Sequence, residues 1–122
     1  MTLAAFFYAL AALLPTGMHL GLIAGRPWGH LTMGGKWPGV LPPRQRAMAG
    51  VQALILLLLI AVVLDRVGLI ALGLPGSAFW TALVVTLLTN IANVITPSLP
   101  ERRIWGPVTT IMSCAILWIA FV

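Results

Sequence analysis

Charge is what this chain has least of. Only 7% of its 122 residues are charged, against roughly 25% in soluble domains, while 61% are hydrophobic and the mean hydropathy is +1.07. So sparse a charged surface cannot keep a folded domain in water, which excludes a soluble globular protein and leaves an integral membrane protein. Acidic residues number 2, Asp65 and Glu101, at opposite ends of the apolar runs, so no pair of carboxylates is placed for acid and base work. The single cysteine, Cys114, cannot form an internal disulfide, and its apolar setting reads as small-residue packing. Of the two histidines only His19 falls inside an apolar run, so a bis-histidine haem lacks its second ligand, and a metal site lacks a ligand set. The glycines do not spell a phosphate loop followed by GK[ST]. No catalytic, cofactor-binding or metal-binding residue is assigned, and no cofactor is implied.

What the chain has instead is four long apolar runs. Crossing the hydrocarbon of a bilayer takes about 20 such residues. The expected spans are 2–25, 46–64, 77–96 and 104–122, joined by loops 26–45, 65–76 and 97–103. The first lacks the basic n-region and small-residue cleavage pattern of a signal peptide and is read as a retained span. Pro75-Gly76 breaks the chain before the third span, with Ser77 as the expected N-cap. Ser98, followed three residues later by Glu101, forms a capping-box pattern ahead of the fourth. The expectation is an all-α membrane bundle of four helices, a single domain over 1–122.

The positive-inside rule gives orientation. Arg26, Lys36, Arg44 and Arg46 lie in or at the end of the first loop and Arg102 and Arg103 in the third, whereas the second has only Arg66 beside Asp65. Both termini should therefore face outside. The net charge of +5 follows from this bias and needs no nucleic acid as partner; contact with anionic lipid of the inner leaflet suffices.

The first loop, rich in Gly, Pro and Trp, is far longer than a connector requires, since helix-to-helix links commonly take about 2 to 8 residues. GRPWG, GKWPG and RRIWG each set a cation close to a tryptophan, in reach of phosphate and the headgroup zone. Arg26, Trp28, Lys36, Trp37, Arg44, Arg46, Arg102, Arg103 and Trp105 are accordingly the candidate contacts to inner-leaflet lipid or a partner. Trp80 and Trp118 are the expected outer anchors.

Polar residues inside the spans are the remaining signal, because each is costly in lipid without a partner or a cavity. His19, Gln52, Asn93 and Thr109 fall at similar depth, roughly 5 to 10 Å from the inner ends at about 1.5 Å per residue, and Asn90 lies one turn deeper. Two readings compete. These groups are hydrogen-bonding glue between helices, at about 0.6 kcal/mol each, or they line a polar cleft roofed by the first loop. His19 is read the same two ways, as a hydrogen-bonded histidine near the interface or as a group that handles a headgroup or a proton.

The segment from Pro27 to Arg46, with PWG, Gly34-Gly35, Pro38-Gly39-Val40-Leu41-Pro42 and Arg44, resembles a pattern in small uncharacterised bacterial membrane proteins. In these an apolar first helix and such a loop precede an N...SPxxER-like step, here Asn93, Pro97, Ser98, Glu101 and Arg102. The resemblance covers nearly the whole chain, implies a four-helix inner-membrane protein, and carries no activity or residue role with it. The expected function is a binding or accessory protein that packs against other membrane subunits, its own copies included, or binds lipid at the inner leaflet. The alternative is an oligomeric transporter of ions or small molecules, as in small drug exporters or fluoride channels, although no span holds an acidic residue to couple protons. A small membrane enzyme on a lipid-like substrate ranks third.

Overall fold

Lipid offers the backbone no hydrogen-bond partners, so an apolar run that crosses it must satisfy its N–H and C=O groups internally, as a helix does. The computed structural model describes Met1 through Val122 and places a helix at each apolar run: α1 over Thr2–Ile23, α2 over Pro43–Arg66, α3 over Gly76–Ile95 and α4 over Leu99–Phe121. All four are long and apolar enough to span a membrane. The chain is a four-helix, multi-pass membrane bundle.

Several helix ends differ from the sequence expectation. α2 begins at Pro43, not Arg46, because proline at the first helical position gives up only an N–H that would have no helical partner. Residues 43–45, expected in the loop, therefore form its first turn. α4 begins at Leu99, five residues before the expected 104, since Ser98 caps it by accepting the Glu101 N–H at 3.4 Å. Ser77 is not an N-cap: α3 starts one residue earlier, and the Ser77 carbonyl accepts an internal bond from the Thr81 hydroxyl. α2 also runs to Arg66, so Asp65 and Arg66 sit on its last turn.

Packing follows chain order with one gap. α1 packs against α2 and α4, and α4 against α3, while α2 and α3 meet sparsely. The ring α2-α1-α4-α3 thus closes on a thin seam. Both termini lie at one end, where Met1 and Leu3 share a surface hollow with Trp118. That half of the bundle is solid: Ala5, Tyr8, Val63, Phe79, Met112 and Ile116 are each 0–2% exposed. Alanines at 5 and 12 let α1 approach its neighbours closely. Across the middle, Tyr8 Oη lies 2.7 Å from Thr86 Oγ1. Thr86 gives its own proton to the Ala82 carbonyl, so Tyr8 donates.

Asp65 organises the connection between α2 and α3, its carboxylate accepting the N–H groups of Leu72, Gly73 and Leu74. Arg66 stacks over the Phe79 ring at 4.5 Å. At the opposite end a second, smaller core gathers Met18, Leu22, Leu41, Ala49 and Trp105 under the long loop.

The Tyr8–Thr86 bond predicts a measurable coupling. A double-mutant cycle with Tyr8→Phe and Thr86→Val, read by denaturant unfolding in mixed micelles, should give about 0.6 to 1.7 kcal/mol. Strict additivity of the two substitutions would contradict the contact.

Candidate functional site

The loop between α1 and α2 folds back over its own end of the bundle. It contains two short 3-10 turns, Gly29–Leu31 and Met33–Gly35, so its path is compact although not α-helical. Its closure depends on Gly29, whose N–H donates to the Gly39 carbonyl at 2.8 Å and where any Cβ would collide with the Trp37 carbonyl. The Trp28 ring lies against Gly21 of α1 so closely that a side chain there has no room. Arg46 ties the other side down, its guanidinium donating to the Ile23 carbonyl at the end of α1 through Nε at 3.2 Å and Nη2 at 2.6 Å.

The start of α4 grips the loop backbone at three points. Ser98 Oγ donates to the His30 carbonyl at 3.0 Å, Trp105 Nε1 donates to the Leu31 carbonyl at 2.9 Å, and Glu101 Oε2 accepts the Gly34 N–H at 3.2 Å. Ser98 and Glu101 are thus only half a capping box. The Glu101 side chain turns to the loop, and the Ser98 N–H finds Thr96 Oγ1 at 3.2 Å instead. The gripped segment is tightly wound: Met33 has a φ of 52°, in the left-handed region, and Gly34 and Gly35 follow at 70° and 74°.

Beneath this roof lies a cleft of about 660 Å³, bounded by all four helices and by Leu31–Gly34. That volume is within the range of small-molecule sites, roughly 300 to 1,000 Å³. His19, Gln52, Asn93 and Thr109 all line it, together with Thr32, Thr89, Thr96 and Glu101. His19 and Gln52 join α1 to α2, with Nε2 2.7 Å from the Gln52 carboxamide. The Pro15 carbonyl, 2.7 Å from Nδ1, only accepts, so Nδ1 carries a proton. Complementarity then requires the carboxamide to present its NH2 to a neutral ring or its oxygen to a doubly protonated one. Asn93 donates to the Thr89 carbonyl one turn back at 2.9 Å.

Asn90 takes a different place. It does not line the cleft; its Oδ1 sits 3.0 Å from the hydroxyls of both Thr109 and Thr110, between α3 and α4. The polar residues therefore divide, Asn90 with Thr110 serving as helix glue and the others facing the hollow.

The basic and aromatic candidates divide too. Arg26, Lys36, Arg44, Arg102 and Arg103 are exposed, as is Trp28, while Trp37 is half-buried against the smaller core. Trp105 is buried and hydrogen-bonded to the loop, while Arg46 is half-exposed with its guanidinium on the Ile23 carbonyl, the last of α1. No lysine or arginine lines the cleft, and Arg102 and His19 do not converge. No group of three histidine, cysteine, aspartate or glutamate side chains comes together to hold a metal ion.

No protein-family model, curated protein or solved structure matches this chain. The site is therefore read from its own residues. Sequence reasoning missed Glu101 as a cleft residue, because its place three after Ser98 already had a local explanation. Thr32, Met33 and Gly34 were missed because the winding that turns them inward cannot be read from residue types. The available signal for Glu101 was that it is the one carboxylate at the end of the chain's fold that carries every cation but Arg66.

The three-point grip predicts a local effect. Trp105→Phe keeps an aromatic ring but removes the indole N–H, worth about 1 kcal/mol, together with some buried volume, so amide exchange in residues 29–35 should accelerate by at least about fivefold. Exchange along the solid half of α1 and α4 should not change; equal acceleration there would contradict a local latch.

Proposed function

We propose that this chain is a membrane binding protein that holds a lipid of the inner leaflet, its polar end in the roofed cleft and an acyl chain along the seam between α2 and α3. The observation that carries the reading is a continuous change of character along that seam. The cleft shares Ile55, Leu59 and Val85 with a second groove of about 350 Å³, which continues toward the far end between Leu58, Val62, Ser77, Ala78 and Ala82. Polar groups cluster at the loop end and aliphatic side chains carry the seam through Ile55, Leu58, Leu59, Val62 and Val85, with Ser77 and Thr81 at the far mouth, so an acyl chain from the cleft would fill the near part of the seam.

On this reading the loop end lies at the cytoplasmic face of a bacterial inner membrane and both termini lie outside. The exposed Arg26, Lys36, Arg44, Arg102, Arg103 and Trp28 then rest against anionic headgroups, each cation near the surface contributing about 1 kcal/mol. The accessory-subunit reading has weaker support, since lipid alone satisfies the outward apolar faces. Transport through one copy is disfavoured because a pathway would have to cross the filled half around Tyr8, Phe79, Met112 and Ile116.

Native mass spectrometry of the protein purified in mild detergent tests the proposal. Wild type should carry one lipid, and Ile55→Trp, which fills the shared part of the seam at a cost of about 1–3 kcal/mol, should reduce the occupied fraction about tenfold. Leu54→Trp, on an exposed face next to it, should leave occupancy unchanged. Lipid-free wild type, or equal loss in both variants, would overturn the proposal.

A further inference from the structure

The polar end of the cleft has an unusual charge balance. Glu101 lines it, is 8% exposed, and receives one hydrogen bond, from Gly34 to Oε2. No lysine or arginine lines the same space; Arg102 and Arg103, next along the helix, are exposed. The N-terminus of α4 contributes about half a positive charge, which leaves the carboxylate only partly offset. The carboxylate's other oxygen, Oε1, has no protein partner and opens onto the cleft, so what fills that space decides how well the carboxylate is matched. Asn93 adds a second acceptor on the same cleft, because Nδ2 is committed to the Thr89 carbonyl and Oδ1 has no protein partner.

Resting on the reading of the cleft as a lipid site, we infer that its polar end selects a protonated primary amine, with Glu101 as counter-charge and Asn93 Oδ1 as a further acceptor. An ammonium group carries a full positive charge and three N–H donors in a small volume. A quaternary ammonium carries the charge without donors, and a phosphoglycerol head brings a negative charge toward Glu101. The chemistry is shared by aminophospholipids and by single-chain amines. In an aminophospholipid the phosphate is two carbons from the amine on the acyl-chain side, so it lies in the cleft as well, where Thr32 and Thr96 offer hydroxyls.

The test offers delipidated full-length protein equal amounts of phosphatidylethanolamine, phosphatidylglycerol and phosphatidylcholine with matched acyl chains, and reads bound species by native mass spectrometry. Wild type should prefer phosphatidylethanolamine to phosphatidylglycerol by about tenfold, the low end of what a buried charge pair provides, and to phosphatidylcholine by about fivefold, from the N–H donors that choline lacks. Glu101→Gln, which keeps an oxygen for the Gly34 N–H, should still carry one lipid but lose its preference over phosphatidylglycerol. Asn93→Asp should widen that preference. Displacement of bound phosphatidylethanolamine by dodecylamine would assign recognition to the amine alone; failure to displace it would assign the amine of a phospholipid. Lipid bound without preference, phosphatidylcholine bound as well as phosphatidylethanolamine, or an unchanged preference in Glu101→Gln would overturn the amine assignment while leaving the lipid site standing. Failure of wild type to carry any of the three would sink the lipid site itself.

Discussion

The hollow half of this bundle depends on the bonds between the first two turns of α4 and the backbone of residues 30–34. The loop has its own turns, but few of its polar groups are paired by neighbours in sequence, and near lipid an unpaired backbone group is costly. Ser98, Glu101 and Trp105 supply partners from one side only. The roof is therefore fixed to α4, and through Trp28 to α1, while Arg46 ties the first turn of α2 to the end of α1; no side-chain hydrogen bond joins the roof to α3. A lid attached along two helices over a bundle that closes poorly between the other two leaves an opening at the side.

The two halves of the bundle solve the same packing problem differently. Where α1 presents Ala5, Tyr8 and Ala12, large side chains from α3 and α4 fill the space and Tyr8 reaches across to Thr86. Where α1 presents Pro15, Met18 and His19, the polar groups bond along the walls, His19 to Gln52 and Asn93 to the Thr89 carbonyl, and no large side chain fills the middle. Pairing at the walls lowers the cost of polar residues in lipid without filling volume. That separates this half from ordinary helix glue, which needs contact and no hollow.

The spans were legible because hydrocarbon thickness fixes both length and polarity, and each apolar run is a helix. Their ends were less legible because hydropathy reports where lipid stops, while helical hydrogen bonding continues through Pro43–Arg46 and Leu99–Arg103 into the charged zone. Depth counting grouped His19, Gln52, Asn93 and Thr109, and all four line one hollow, since rise per residue is nearly constant. It could not place Asn90, because depth carries no information on which neighbour a helix face meets; here that face meets Thr109 and Thr110. Glu101 shows the converse limit, a cleft residue concealed by a convincing local role as the third position after a serine cap.

On the proposed function an amphiphile occupies the seam between α2 and α3 and not the bundle surface at large. Photo-crosslinking in nanodiscs with a phospholipid carrying a mid-chain diazirine, followed by peptide mapping, tests it most directly. Adducts should concentrate around Ile55, Leu59 and Val85, beyond their share of exposed surface. Adducts spread over outward residues such as Leu3, Leu54 and Ile111 in proportion to exposure, with no enrichment at the seam, would contradict it.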